Sequence, residues 1–242
     1  MYSKSERPIV RGTIFYYDDI YDDRLARDVI SILENFSFFP PEKVYADKLT
    51  RGKFVNYSPD LKPLIIEAYS QKGVFGLDMA SGNSKTHNDY WRVSWEFTFY
   101  KNEKLSLKPQ FKPWNVFSLD LARDRLQNHN LCQRYLSCII ELIRVINPFY
   151  AKVDDVSNAV HLLEQAHEPY FKPDYIQQIF WGNYFGKDYC FHYGKERLMD
   201  IVTPCVKVIN DGVFFSLTPN IIDFQSKECE KKRKTIKSLL QI

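Results

Sequence analysis

The sequence predicts an α+β fold with a mainly antiparallel sheet and packed helices. In residues 90–102, apolar side chains alternate with polar ones, the period-2 pattern of a strand with one buried face. Residues 21–36 instead carry apolar side chains at helical spacing, and residues 204–220 have the pattern of a hairpin. Helix, extended segments and a late hairpin occur in residues 1–117 and again in 118–242. We therefore expect two α+β halves that could be similar, joined in one compact unit.

The first half opens with a strand and a helix. Residues 11–19 are rich in β-branched and aromatic side chains, which favour a strand. In residues 21–36, Leu25, Val29 and Leu33 lie on one helical face, and acids fill the first turn, where the helix dipole favours them. The prolines of "FFPPEK" end this helix because proline removes a backbone donor.

The sequence of the rest of the first half predicts short strands and one short helix. A strand is expected at 43–47 and a helix at 61–71. The stretch "GVFGLDMASG" and residues 90–102 then predict a hairpin. Residues 102–118 have little periodicity and two prolines, so we interpret them as the connection between the halves.

The second half predicts a long helix followed by a strand, a helix and a hairpin. Ser118 is a suitable N-cap, and apolar side chains at helical spacing continue to Asn147, so one long helix is expected between them. Residues 175–186 predict a strand that ends in a glycine-bounded turn, and a helix follows. Asp211 and Gly212 predict the tight turn of the last hairpin, and a mixed-charge helix ends the chain.

Composition excludes several classes of function. The net charge of +3, from 33 basic and 30 acidic residues, gives no dominant field for nucleic acid or an anionic membrane. No segment has the length of apolar sequence that a signal peptide or a membrane span requires. The five cysteines form no CxxC pair, so reduced thiols in a cytoplasmic protein are expected.

Signatures of catalysis and metal binding are missing from the sequence. The five histidines show no HExxH or similar ligand spacing, and there is no GxSxG motif. We therefore expect no enzyme activity, no metal and no cofactor. Two alternatives stay open: a small hydrolase that uses His87, Asp89 or His192, and a nucleic-acid-binding accessory protein that uses "KKRK" at 231–234. The acids and apolar residues around "KKRK" favour the solvated face of a terminal helix instead.

The stretch "IFWGNYFGKD", residues 179–188, resembles a phosphate-binding loop only superficially. A Walker A loop needs four residues between its glycines and a Ser or Thr after its Lys. Here three residues separate Gly182 from Gly186, and Asp188 follows Lys187. An aspartate at that place would repel phosphate, so the spacing and the charge exclude this function.

An acidic, tyrosine-rich cluster lies at the junction between the first strand and the first helix. Helix capping accounts for about two of its four acids. The surplus charge and the tyrosines indicate a binding site for a protein partner. The cluster consists of Tyr16, Tyr17, Asp18, Asp19, Tyr21, Asp22 and Asp23.

Residues 148–222 resemble the C-terminal part of the type fifty-two immunity proteins of bacterial polymorphic toxin systems. The family typically shows a Trp-x-Asn-Tyr-Phe-Gly-like segment, a Gly-Lys-Glu helix, and a hairpin that bears Asp-Gly and ends in Leu-x-Pro. The matching residues are Trp181, Asn183, Tyr184, Phe185 and Gly186, then Gly194, Lys195 and Glu196, then Asp211, Gly212, Leu217 and Pro219.

The resemblance implies an α+β protein without enzyme activity that binds and neutralises a co-encoded toxin. It also implies that residues 181–186 form a structural turn, with Gly182 and Gly186 required for backbone geometry and Trp181 and Phe185 in the core. The segment would then be a fold motif rather than the toxin-binding surface. The expected partner is a cognate toxin protein.

Overall fold

The computed structural model describes residues 8–16, 23–46, 53–70, 76–81, 90–96, 115–159, 176 and 178–242. Ten strands form one sheet, and each neighbouring pair in it is antiparallel. The strands are β1 Ile9–Tyr16, β2 Lys43–Ala46, β3 Val55–Asn56, β4 Gly76–Ser81, β5 Trp91–Glu96, β6 Asn115–Ala122, β7 Tyr150–Asp155, β8 Gly182–Phe185, β9 Cys205–Ile209 and β10 Gly212–Ser216. Their order across the sheet is β3-β2-β4-β5-β6-β1-β7-β8-β10-β9.

Residues 156–159 are helical, and six further α-helices accompany the sheet in the described part of the chain, which confirms the α+β class. They are α1 Asp23–Asn35, α2 Leu61–Ser70, α3 His129–Ile146, α4 Lys187–Tyr193, α5 Lys195–Met199 and α6 Lys227–Leu240, and 3₁₀ helices occupy Arg123–Gln127 and Ile221–Asp223. Within these described ranges, no helix is long and apolar enough to cross a membrane.

The predicted start of the long helix at Ser118 is wrong. Residues 115–122 form β6, which pairs with β1 and β5, and the helix starts at His129 after its N-cap Asn128. The Asn128 side chain accepts hydrogen bonds from the backbone N–H groups of Asn130 and Leu131. In β6, Phe117, Leu119 and Leu121 alternate with polar residues, and pairing on both sides stabilises the strand.

The strands of the first predicted half, β1 to β5, lie with β6 on one side of the sheet, and those of the second half, β7 to β10, lie together on the other side. The expected boundary between residues 117 and 118 falls inside β6, which lies between β5 and β1. Outwards from the central β6–β1 pair, one side runs β5, β4, β2, β3 and the other runs β7, β8, β10, β9. The similarity of the two halves stays a prediction.

Two further expectations for the second half are corrected. The helix predicted after residue 186 is divided into α4 and α5 at Gly194, whose φ of 85° only glycine adopts readily. The tight turn of the last hairpin consists of Asn210 and Asp211 rather than Asp211 and Gly212, since Ile209 pairs with Gly212. Asn210 has the positive φ, 51°.

One face of the sheet, here called the helix face, packs against α1 and α3. Gly12 lies under α3 so closely that a Cβ there would come within 2.4 Å of Ile139 Cδ1. The Tyr135 hydroxyl of α3 donates a hydrogen bond to the Leu119 carbonyl of β6 at 2.8 Å. The centre of this face is apolar, and it forms the main core.

The opposite face has two different parts. Near β8 and β10 it is aromatic, because Tyr150 and Phe185 stack with Tyr189 of α4 at ring centroid separations of 5.6 to 5.9 Å. Its centre carries charged and polar side chains instead.

Candidate functional site

Residues 181–186 form part of the core. Trp181 and Phe185 are buried, as the resemblance implies. The Trp181 indole N–H donates to Thr218 Oγ1 at 2.6 Å. The Asn183 side-chain amide donates to the Phe180 carbonyl at 2.8 Å and accepts a hydrogen bond from the Phe180 N–H at 3.0 Å. Residues 182–185 are strand β8 rather than a turn. Their side chains therefore stabilise the fold and are not available to a partner.

The glycines of this motif are required for close approach, not for an unusual backbone conformation. A Cβ at Gly186 would lie 2.6 Å from the Pro148 carbonyl oxygen and 2.8 Å from that of Phe149. Gly212 begins β10, and a Cβ there would lie 2.4 Å from the Tyr184 ring. Neither glycine is among the described residues with positive φ. The expectation of special backbone geometry is thus corrected to one of tight packing.

The structure places Tyr16 of the acidic cluster in the core. Its side chain is 1% exposed, and its hydroxyl accepts a hydrogen bond from the Trp95 indole N–H at 2.6 Å. Alternation along β1 explains this, because Tyr16 shares the helix face with Gly12 and Ile14. Tyr16 is therefore not a surface contact. Tyr17, Asp18, Asp19, Tyr21 and Asp22 lie outside the described residues.

Asp23 is the member of the cluster that the structure places at the surface, in a cleft between α1 and α2. The cleft has a volume of about 540 Å³. We call it the α1–α2 cleft; it is lined by Asp23, Arg27, Pro59, Lys62, Pro63, Ile66 and Glu67. The lining combines apolar side chains with charges of both signs.

The charges of the α1–α2 cleft are held in place by ion pairs. Arg27 lies 3.8 Å from Asp23 on the next turn of α1. Lys62 of α2 forms an ion pair with Glu34 of α1, and its ammonium group lies 5.5 Å from the centre of the Phe39 ring. The pair of Lys62 and Glu34 joins the two helices at the cleft.

A second feature is a row of charges across the centre of the sheet face opposite α3, here called the charged strip. It runs through Asp78, Arg92, Asp120, Arg11, Lys152 and Asp154 on five adjacent strands. Arg11 makes two hydrogen bonds to the Asp120 carboxylate at 2.7 and 2.8 Å. Arg92 makes two to Asp78 at 3.1 and 2.9 Å. Opposite charges on neighbouring strands thus neutralise each other.

The β7 end of the charged strip is the most buried. Burial raises the pKa of Asp154 to about 6, against the lowering effects of the Asn158 amide, the Trp181 N–H and Arg233. Burial lowers the pKa of Lys152 to about 8, although Asp154 opposes this. The Lys152 ammonium lies 4.4 Å from the centre of the Phe180 ring. The carboxyl and the ammonium are both held at the sheet centre by neighbouring side chains.

The hydrolase alternative gains no assembled site from the described residues. His87 and Asp89 lie outside them, and the His192 ring is exposed and packs edge-on against Tyr193. In the ranges that the structure describes, no three His, Cys, Asp or Glu side chains are placed to hold a metal ion. Burial raises the pKa of the Cys229 thiol to about 11, and it also raises that of Cys190, which disfavours a thiolate nucleophile.

The basic run at 231–234 lies on α6. Lys232 and Lys234 pair with Glu228 and Glu230 one turn earlier, at 2.7 and 2.9 Å. Arg233 instead donates to the Ile179 carbonyl at 2.8 Å and fixes the helix to the body of the protein. This agrees with the interpretation of a solvated face on a docked terminal helix.

Comparison with known proteins gives a fold likeness and no family. No protein-family model matches the chain, and no curated protein matches it. Three chains of solved structures match. One, described as "Pseudomonas aeruginosa T6SS protein PA0821", has a TM-score of 0.67 and 13% identity, over 97% of this chain and 72% of that one. At this identity the likeness shows the fold alone, and the type fifty-two resemblance rests on the sequence motif.

Proposed function

We propose that this chain is an immunity protein that binds and neutralises a cognate bacterial toxin through protein–protein contact. The observation that carries the proposal is the sequence motif that resembles type fifty-two immunity proteins. The fold likeness to a T6SS protein, which extends over 97% of the chain, is compatible with it.

Neutralisation would occur by occupancy of the toxin surface, without a reaction catalysed by this chain and without a cofactor. Residues 181–186 are buried, so they would stabilise the fold while surface residues contact the toxin. We place that contact at the α1–α2 cleft and at the acidic cluster that ends at Asp23. The other residues of the cluster proposed to contact the toxin are Tyr17, Asp18, Asp19, Tyr21 and Asp22. The cytoplasm, where a toxin can be met before export, is the proposed location.

Co-expression with the protein encoded beside it tests the proposal. That neighbour is induced in a sensitive host with and without this chain, and complexes are recovered by affinity pull-down. Rescue of growth together with a stoichiometric complex is the expected result. Toxicity without rescue, or no toxicity, would contradict the function.

Two charge reversals then test the position of the contact. Arg27→Glu changes the α1–α2 cleft, whereas Lys234→Glu changes an exposed position on α6 as a matched control. We expect Arg27→Glu to weaken the complex about tenfold or more, because interface charges contribute at the kcal/mol level, and Lys234→Glu to have no effect. Equal affinity of both variants would exclude the cleft and leave the immunity function standing.

A further inference from the structure

The two ends of the sheet differ in what they expose. At one end, β3 has two residues, which is too short to pair with much of another strand. At the other end, β9 has five residues, and β10 is its one neighbour in the order of the described strands. An edge of this length can act as a template for an added strand.

The backbone groups of Val206 and Val208 point away from the sheet. In an antiparallel ladder, successive residues direct their N–H and C=O groups alternately to the two sides of the strand. Leu217 N–H, at the end of β10, donates to the Trp181 carbonyl on the β8 side. The even-numbered residues of β10 therefore face β9, where their partners are Cys205, Lys207 and Ile209. The backbone groups of the two valines between them remain on the outer edge.

The side chains of β9 give this edge a defined character. Val208 is 49% exposed and Val206 is partly exposed on one face, while Lys207 is exposed on the other. Two more exposed apolar side chains precede β9 along the chain: Met199 at the end of α5 and Val202 in the segment that leads into β9, which are 46% and 91% exposed. Exposed apolar side chains beside an unpaired strand edge are typical of interaction surfaces.

We propose that β9 is the docking edge for an extended segment of a partner protein in which two apolar residues flank an acidic one. The acidic residue would lie opposite Lys207, and the apolar residues would lie over Val206 and Val208 on the other face. Cross-strand pairs of these types stabilise a sheet, and the outward backbone groups of both valines would be satisfied.

A second copy of this chain fits the edge less well. Two copies related by a two-fold axis can pair Val206 with Val208 of the other chain only when Lys207 lies opposite Lys207. Directly opposed like charges destabilise a ladder. Lys207 thus disfavours self-pairing in the register that uses both valines, and it favours a partner with an acid at that position.

The β9 edge is also separate from the α1–α2 cleft. Pro59 and Lys62 of the cleft follow directly after β3, at the opposite end of the strand order. Nine strand spacings of about 4.8 Å correspond to roughly 40 Å along the sheet. The inference therefore concerns a second partner and does not depend on the proposed binding of a toxin.

Nuclear magnetic resonance of the full chain with two synthetic peptides tests this inference. The probes are acetylated Thr-Thr-Val-Glu-Val-Thr-Thr and the same peptide with Lys in place of Glu. We expect the first peptide to shift the amide signals of Val206, Lys207 and Val208, and the second to bind about tenfold more weakly, because one cross-strand attraction becomes a repulsion. In Lys207→Glu the preference between the two peptides should reverse.

Backbone variants separate strand pairing from side-chain contact. Val208→Pro removes an outward N–H, and proline is tolerated at an edge with its nitrogen towards solvent, so the fold should persist while binding is lost. Val208→Thr keeps the N–H and should still bind. Absence of shifts at β9, equal binding of both peptides, or shifts that grow with the concentration of the protein alone would each overturn the inference.

Discussion

The two faces of the central sheet bury different kinds of side chain. The helix face buries apolar side chains under α1 and α3, and glycines there allow other groups to approach within van der Waals distance. The opposite face is charged at its centre, and each acid there has a basic neighbour on the next strand. One face thus depends on shape, whereas the other depends on the pairing of charges.

The difference predicts how each face responds to substitution. An added side-chain atom on the helix face cannot be accommodated by small movements of its neighbours, because close-packed interiors have few voids. Loss of an acid from either arginine pair on the other face leaves an arginine that is 37% or 40% exposed, and water can solvate it in part. We therefore expect the largest losses of stability on the helix face and smaller, pH-dependent losses on the charged strip.

Gly212→Ala should have the largest effect. Its methyl group would lie 2.4 Å from the Tyr184 ring and 2.5 Å from the Phe185 carbonyl oxygen. The backbone oxygen cannot move as a flexible side chain can, so we expect a loss of about 3 kcal/mol in the free energy of unfolding, measured by urea denaturation. Gly194→Ala is the control, with a loss of about 1 to 2 kcal/mol from its positive φ and no steric contact below 3.7 Å. Similar losses in the two variants would contradict the role of shape.

The second prediction concerns the pH dependence that Asp154 gives to stability. Its pKa is about 6 in the folded protein and 3.8 ordinarily, so between these values the folded state binds more protons than the unfolded state. Stability from this group is therefore present below about pH 4 and decreases as pH rises through 6. A shift of two pKa units corresponds to about 3 kcal/mol as an upper value.

Asp154→Asn isolates this contribution. The amide cannot ionise, and other titrating groups cancel when the two proteins are compared at each pH. We expect the free energy of unfolding of the wild type, minus that of the variant, to fall between pH 4 and 7. The loss of hydrogen bonds to Asn158 and to the Trp181 N–H should add a constant offset. A difference that is flat or rises with pH would be evidence against a raised pKa.

Asp120→Ala tests the charge pairing at the centre of the strip. The carboxylate is 4% exposed and the Arg11 side chain is 40% exposed, so the arginine left behind can be partly solvated. Loss of one partner of a fully buried pair costs about 3 to 5 kcal/mol, and we expect about 2 kcal/mol here. The double variant Arg11→Met, Asp120→Leu should recover most of this loss. If it is less stable than Asp120→Ala, the pair does more than neutralise charge.

The sequence was sufficient for elements with a clear period but not for contacts between distant strands. Alternation predicted the hairpin of β4 and β5, whereas residues 118–126 fitted both a helix and a strand. Residues 115–122 form strand β6 because they pair with β1 and β5, and local propensity alone does not determine this. Arg11 and Asp120 are 109 residues apart, so their pairing depends on strand order and register.

The position of Tyr16 could have been predicted. The acids and tyrosines of residues 16–23 predict one surface cluster, although Tyr16 still belongs to the alternation of β1 with Gly12 and Ile14. A strand residue of that parity faces the core whatever the charge of the residues after it. The polar positions of β1, β6 and β7 would also have indicated a charged face, had residues 115–122 been recognised as a strand.

The smallest effect is expected at the outer end of the charged strip. Arg92 and Asp78 are 37% and 20% exposed, so water screens their pair more than that of Arg11 and Asp120. Arg92→Met should therefore reduce the free energy of unfolding by less than about 1 kcal/mol, and high salt should reduce the difference from the wild type further. A loss as large as that of Asp120→Ala would mean that the strip acts as one coupled network, in which removal of any charge disturbs all of it. Additive losses in Arg92→Met, Asp120→Ala would instead show two independent pairs on one face.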